Sequence, residues 1–303
     1  MLKYTIKRLL LAIVTVFIIE AITFFSMYAI PGGPFSKEKA TDPAVQAMLE
    51  SRFGLDKPVP EQFVIYLKNL MHGDFGISLK TGREITKIIS ESFAVSARLG
   101  GMAALFAVIL GLVLGSVAAL TRNHWPDRAI IFLTTLFVSA PSFILATILL
   151  LVFCLQLKWF GVWSTSNPNY VLPVISLMLY PMSYITRLTK TSMLDVLGQD
   201  YIRTARAKGV REGLIIFKHA LRNALIPVIT YVGPMTAYIL TGSMVVETVF
   251  TIGGLGTKFV SSINNQDYPM IMAVTIFLAV LMVIATLISD LVYKLVDPKI
   301  TFD

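Results

Sequence analysis

The chain is short of charge. Aspartate, glutamate, lysine and arginine make up 15% of its 303 residues, against about 25% in an ordinary soluble domain. It has a single cysteine, Cys154, which excludes an internal disulfide and a cysteine-rich zinc site. Its three histidines, His72, His124 and His219, all lie outside the apolar runs, and His72 falls on the opposite side of the membrane in the topology derived below. They do not form one metal site. A phosphate cradle of the Gly-x-x-x-x-Gly-Lys-Ser/Thr type is missing. The nearest lookalike, Gly253-Gly254-Leu255-Gly256-Thr257-Lys258, has the wrong order after its last glycine. Gly-x-Ser-x-Gly and His-Glu-x-x-His are missing too, as are internal repeats and low-complexity tracts. These shortages argue against a secreted disulfide scaffold, an ATPase, a membrane hydrolase and a nucleic-acid binder.

Apolar residues are plentiful, at 55%, and the mean hydropathy is +0.74. A helix needs about 20 mainly apolar residues to cross the hydrocarbon core. Six stretches qualify: 9–30, 97–120, 129–157, 171–186, 225–246 and 269–292. The fourth is the weakest, being short and interrupted by Pro173, Ser176, Pro181 and Ser183. The first is too long for the apolar part of a signal peptide and has a poor cleavage site around Ser26–Ala29, so it reads as a retained helix. Connections on one side hold fifteen lysines and arginines, and those on the other hold ten. Eight of the ten lie in residues 31–94, beside eight acidic residues. The positive-inside rule then places both termini in the cytoplasm. The fold class is an all-α membrane protein with six transmembrane helices.

Two connections are long. Residues 31–94 read as a small extracytoplasmic helical cap. One helix starts at Asp42-Pro43, with Val45, Met48, Leu49 and Phe53 on one face, and a second at Pro60, with Phe63, Tyr66, Leu67, Leu70 and Met71. Gly73-Asp74-Phe75-Gly76 reads as a turn. The domains are therefore 1–30 (first helix), 31–94 (cap) and 95–303 (core), the core including a cytoplasmic loop at 187–224. In that loop Met193, Val196, Leu197, Tyr201 and Ala205 fall at helical spacing, Gly209 supplies a left-handed stop, and a second helical stretch runs through His219 and Arg222 to Pro227. On spacing alone, the loop is either a helix pair lying on anionic lipid or a docking surface for a partner.

Within the spans, Glu20 is the only deep acid. It reads either as a group on a translocation path, contacting a cation or a peptide amine, or as a protonated or hydrogen-bonded residue between helices. Gly111 and Gly115 form a Gly-x-x-x-Gly pair suited to close helix packing. Pro141, Pro173, Pro181, Pro227 and Pro234 interrupt spans three to five, where prolines kink helices and free carbonyls.

The stretch Asp200-Tyr201-Ile202-Arg203-Thr204-Ala205-Arg206-Ala207-Lys208-Gly209 resembles the EAA loop of ATP-binding-cassette (ABC) importer permeases. Arg203-Thr204-Ala205 stands where Glu-Ala-Ala is usual, and Ile226-Pro227 where Leu-Pro is usual. Segments from end to end are similar to the oligopeptide/dipeptide permease family: Pro31-Gly32-Gly33-Pro34-Phe35, His72-Gly73-Asp74-Phe75-Gly76, Glu247-Thr248-Val249-Phe250, Asp267-Tyr268-Pro269 and Asp297-Pro298-Lys299 among them. The resemblance is to the B-type subunit, and the compact outer loop between spans three and four suits the oligopeptide branch. It implies a type I ABC importer permease fold and a role as half of the pathway for imported oligopeptides in the bacterial cytoplasmic membrane. Its partners would be a homologous second permease, two nucleotide-binding ATPase subunits, an extracytoplasmic peptide-binding protein and membrane lipid, with no nucleic acid. It further implies that Arg203, Thr204, Ala205, Arg206, Lys208 and Gly209 contact the ATPase, that ATP and magnesium are held by that partner, and that this chain is not itself an enzyme and carries no cofactor. The same family also imports dipeptides, glutathione, haem, nickel chelates and some sugars. A self-sufficient secondary transporter is the remaining alternative, and it would need more intramembrane ionisable groups than Glu20.

Overall fold

The computed structural model describes residues 2–29 and 57–296. The expected cap helix beginning at Asp42-Pro43, the Pro31–Phe35 segment and Asp297-Pro298-Lys299 lie outside them. Among the described residues there is no strand, only one isolated bridge between Ile77 and Glu84. Hydrophobicity requires buried or lipid-facing surface, and in hydrocarbon a helix satisfies every backbone group within itself.

The helices are α1 (Leu2–Ala29), α2 (Val59–Met71), α3 (Ile85–Leu120), α4 (Trp125–Ser139), α5 (Ser142–Leu149, continued by π-helical Leu150–Gln156) and α6 (Val171–Leu197). Then come α7 (Asp200–Ala207), α8 (Glu212–Leu214, continued by π-helical Ile215–Leu221), α9 (Arg222–Gly242), α10 (Met244–Val249), α11 (Leu255–Asn264) and α12 (Tyr268–Val296). Among the described residues, five stretches are long and apolar enough to cross a membrane: Leu10–Ala29, Ile85–Leu120, Val171–Leu197, Glu212–Val249 and Tyr268–Ile288. The expected third span is not one continuous rod. It is the pair α4 and α5, bent by 103° at Ala140-Pro141, where proline disfavours a helical conformation in the residue before it. Counting that pair gives six. The fifth span carries Pro227 and Pro234 in its interior, where the sequence places them, and the helical stretch that leads to Pro227 runs on into it.

The chain forms two compact units. The first joins residues 1–95 to 253–283. Its core brings Phe24 and Met27 of α1 against Phe63 of α2 and Tyr268, Ile271 and Met272 of α12. Ile85, Ile88 and Ile89 of α3 pack with Leu255 of α11 and Met270 and Val274 of α12. The turn after α2 is where the sequence places it. Gly73 and Gly76 both have positive φ, and the Asp74 carboxylate accepts a hydrogen bond from the Gly76 N–H at 2.8 Å. Asp267 then ties this loop to the start of α12, accepting from the Ser78 hydroxyl at 2.5 Å and the Leu79 N–H at 3.1 Å.

The second unit comprises residues 96–252 and 284–303, with α6 at its centre. Helix α3 approaches α6 through its two glycines: a Cβ built on Gly111 would sit 2.6 Å from the Ile185 side chain, and one on Gly115 2.6 Å from the Thr186 carbonyl. Helix α4 is joined to α6 by an ion pair between the buried Asp127 and Lys190, at 2.5 Å. Glu247 of α10 is fully buried and accepts hydrogen bonds from the hydroxyls of Ser96 and Ser243, at 2.7 and 2.6 Å.

Candidate functional site: a braced helix between two spans

The segment between α6 and α9 is a short helix on a fixed base. Helix α6 ends at Leu197, and Gln199 adopts an extended conformation that starts α7 afresh. The helical spacing running from Met193 to Ala205 is therefore split by a break at Gly198-Gln199. Below the break, Met193 packs with Ala119 and Ala224, surrounded by Leu194, Val196, Leu197, Ile216 and Leu221. Helix α7 turns Ile202 inward, fully buried. Its opposite face is open: Tyr201, Arg203, Thr204, Lys208 and Gly209 are exposed, Ala205 is half-buried, and the Arg203 side chain is 73% exposed.

The end of α7 follows from one residue type. The Val210 N–H bonds to the Ala205 carbonyl at 3.2 Å and the Gly209 N–H to the Arg206 carbonyl at 2.9 Å. This is the paired geometry of a Schellman cap, which needs a left-handed residue. Gly209 supplies it, with φ of +73°. A Cβ there would meet nothing within 4 Å, so conformation, not crowding, makes glycine suitable.

Two contacts brace α7 against its flanks. The Arg206 guanidinium donates to the Glu212 carboxylate, its closest approach being 2.6 Å from Nη2 to Oε1. That hydrogen bond, more than the attraction of the two charges, holds Arg206 above its ordinary pKa. The Asn223 amide donates to the Tyr201 hydroxyl at 2.8 Å, tying α7 to the first turn of α9. Sequence reasoning missed both, because neither spacing is a neighbour pair on one helix. Of the expected contact residues, Arg206 is thus engaged within the chain, while Arg203, Thr204 and Lys208 present their side chains outward. Arg203 makes only a 3.5 Å surface pair with Asp200, of the kind that contributes little to stability. A rigid, positively charged helix held between two spans can transmit a push along both.

Glu20 belongs to the first unit. It is 1% exposed and packs in the core where α1 meets α2. The Tyr66 hydroxyl of α2 is close enough to couple to it electrostatically, yet neither Glu20 oxygen makes a well-formed hydrogen bond. Such a group sits between helices, out of reach of solvent. If the chain moves peptides, as the resemblance implies, Glu20→Gln should leave uptake of acidic, neutral and basic peptides unchanged in a reconstituted assay. A charge-selective loss would put the carboxylate on the solute's route.

The Gly253–Lys258 loop does not resemble a phosphate site in space either. Gly254 and Gly256 are buried, and the left-handed residue of that region is Thr251, with φ of +54°. Among the described residues, no group of three or more histidine, cysteine or acidic side chains is placed to hold a metal ion.

Comparison with known proteins fits this geometry. Residues 111–302 match the model for the binding-protein-dependent transport system inner membrane component, and residues 1–99 match that for the N-terminal part of such membrane components. The chain is 47% identical to the dipeptide transport system permease protein DppB of Bacillus subtilis, over 99% of this chain and 98% of that protein. It is 42% identical to the oligopeptide transport system permease protein OppB of Haemophilus influenzae, covering all of both. In fold it is similar to the inward-facing MetNI methionine ABC transporter, with a TM-score of 0.57 at 18% identity, over 70% of this chain and 97% of that one.

Proposed function

Because the chain belongs to the family of binding-protein-dependent transport system inner membrane components, a permease subunit of an ABC importer in the bacterial plasma membrane, we propose that its cargo is oligopeptides. It would form half of the translocation path, beside a homologous second permease, two ATPase subunits that hold ATP and magnesium, and an extracytoplasmic peptide-binding protein. Helix α7 is the proposed contact with the ATPase, with the 187–224 loop cytoplasmic and the region around residues 31–94 forming the outer cap. The observation that carries the reading is α7 itself: a Schellman-capped helix with an outward basic face, anchored at both ends to spans. ATP binding would draw the ATPase subunits together and swing α7, and the braces at Tyr201–Asn223 and Arg206–Glu212 would pass that movement to α6 and α9. Bidentate pairing of Arg203 with a carboxylate on the ATPase suits this task.

A second reading has its own support. The dipeptide permease of Bacillus subtilis is more similar to this chain than the oligopeptide permease of Haemophilus influenzae, and it matches over nearly its whole length, so the compact outer loop does not separate the branches. The test begins with gentle affinity purification from the native membrane and mass spectrometry of the partners. Proteoliposomes of the recovered complex are then offered di-, tri- and pentapeptides. We expect a second permease and ATPase subunits to co-purify, with ATP-dependent uptake extending to the pentapeptide. Uptake confined to dipeptides would select the second reading. A chain that purifies alone and moves solute without ATP would remove both.

A further inference from the structure

Three basic side chains meet where α4 and α6 leave the apolar stretches. Arg122 of the connection between α3 and α4, with Arg187 and Lys190 of α6, lines an open pocket of about 590 Å³, together with Ile131 and Thr135 of α4 and Asp195 of α6. A second depression of about 350 Å³ shares Ile131 and Lys190 and adds Arg128 and Phe132. Arg187 is the first residue after the apolar stretch 171–186, and Asp127 lies just before the stretch 129–157. The positive-inside count puts this edge at the cytoplasmic leaflet.

The charges here are not balanced. Lys190 is paired with Asp127 at 2.5 Å, and Asp127 also feels the charge of Arg122. Arg187 is anchored by a neutral group. Its Nη2 donates to the Thr135 hydroxyl at 2.8 Å, while its Nε is enclosed without a hydrogen bond. Among the described residues no carboxylate forms an ion pair with Arg122 or Arg187, although Asp195 also lines the pocket. A half-buried guanidinium short of a counter-charge is costly at the membrane edge. An anionic oxygen seated in the pocket offsets that cost, and the planar fork of arginine suits phosphate.

The surface beside the pocket selects the kind of anion. Along α4, Phe132, Leu133 and Leu136 are exposed, and Phe132 and Leu136, four residues apart, share one side of the helix. Leu136 lies deeper in the membrane than Asp127, by about 14 Å at a rise of 1.5 Å per residue. A seat for an anion at the interface thus continues into an apolar track. A soluble phosphate has no use for the track, whereas an acyl chain does. Basic pockets between transmembrane helices on the cytoplasmic side suit anionic lipid headgroups.

We propose that the pocket between α4 and α6 binds an anionic phospholipid of the inner leaflet, with its phosphate between Arg122 and Arg187 and an acyl chain along Phe132 and Leu136. The proposal rests on the inward placement of the 121–128 connection and not on the identity of the cargo.

The experiment uses the assembled importer in nanodiscs of phosphatidylglycerol and phosphatidylcholine in equal parts. Phe132 is replaced by the photoreactive p-benzoylphenylalanine, and mass spectrometry identifies what it captures on illumination. One basic residue at an anionic surface favours the anionic lipid roughly fivefold, so phosphatidylglycerol adducts should outnumber phosphatidylcholine adducts by about that factor or more. Arg122→Gln combined with Arg187→Gln should bring the two adducts to parity. Arg187→Lys, which keeps the charge, should preserve most of the preference. Each variant is read on importer that elutes as one assembled peak. If the double variant does not assemble, Arg122→Gln alone, at an exposed position, should still lower the ratio. Inorganic phosphate at matched ionic strength should leave the ratio unchanged, and its collapse would assign the seat to free phosphate. Parity with both arginines present, or a ratio that the glutamine substitutions leave unchanged, would overturn the proposal. Adducts to another subunit or to added peptide in place of lipid would overturn it too, with the importer reading intact.

Discussion

Gly115→Val should abolish recovery of the folded subunit. Valine's Cβ would lie 2.6 Å from the Thr186 carbonyl oxygen and 2.6 Å from the Thr189 Cβ. The first of these is backbone inside α6, which has no rotamer to escape into. Overpacking a well-packed site typically costs about 1–3 kcal/mol, and here the obstacle is a helix backbone, so α3 and α6 must separate. Helix α6 also carries Lys190, paired with Asp127, and Tyr184, stacked on Tyr231, so the displacement reaches the contacts with α4 and α9. Size-exclusion chromatography in mild detergent reads the result: the monodisperse peak should disappear. Gly101→Ala is the control, since a Cβ there meets nothing within 4 Å. A normal peak for Gly115→Val would show that α3 and α6 do not pack through this glycine.

Gly209→Val should give the second large effect, on transport and not on folding. A left-handed conformation costs an ordinary L-residue roughly 1–2 kcal/mol, and a β-branched residue fits it worst. No neighbour crowds the site, so the subunit should still fold and assemble. The strain is relieved by re-registering the end of α7, which removes the Ala205–Val210 and Arg206–Gly209 bonds and misplaces the Arg206–Glu212 brace. A penalty of one or two kcal/mol is a factor of roughly 5–30 in a two-state population, so peptide imported per ATP hydrolysed should fall by about that factor. Gly209→Asn, which tolerates the left-handed region, should remain near wild type. Normal coupling in the valine variant would count against α7 as the moving contact. Equal loss in both variants would point to an atomic approach by the partner at Gly209, not to backbone strain.

What could be read in the sequence was what one helix or one turn decides locally. Apolar runs located the spans because a lipid-embedded helix has no other way to satisfy its backbone. Gly209 was legible because a left-handed cap strongly prefers glycine. Gly111 and Gly115 announced a close approach, though not that α6 was the helix approached. The break at Gly198-Gln199 was hidden by spacing that continues in phase across it. The 103° bend began at a proline the sequence displays, but proline alone does not set an angle. Pairings across a turn, such as Arg206 with Glu212, follow from where the backbone leads after the cap.

The Asp267 tie has a consequence for how the subunit is made. Its partners Ser78 and Leu79 precede it by 189 and 188 residues, and the first unit needs residues 253–283 to be whole. Synthesis at about 5–20 residues per second leaves the early helices waiting roughly 10–40 s for α11 and α12 to emerge. During that interval Ile85, Ile88 and Ile89 have no α12 to pack on. A ribosome stalled before residue 253 therefore leaves behind an incomplete first unit, not a permease lacking one span. Such a fragment would expose the isoleucine face that α12 covers in the finished subunit.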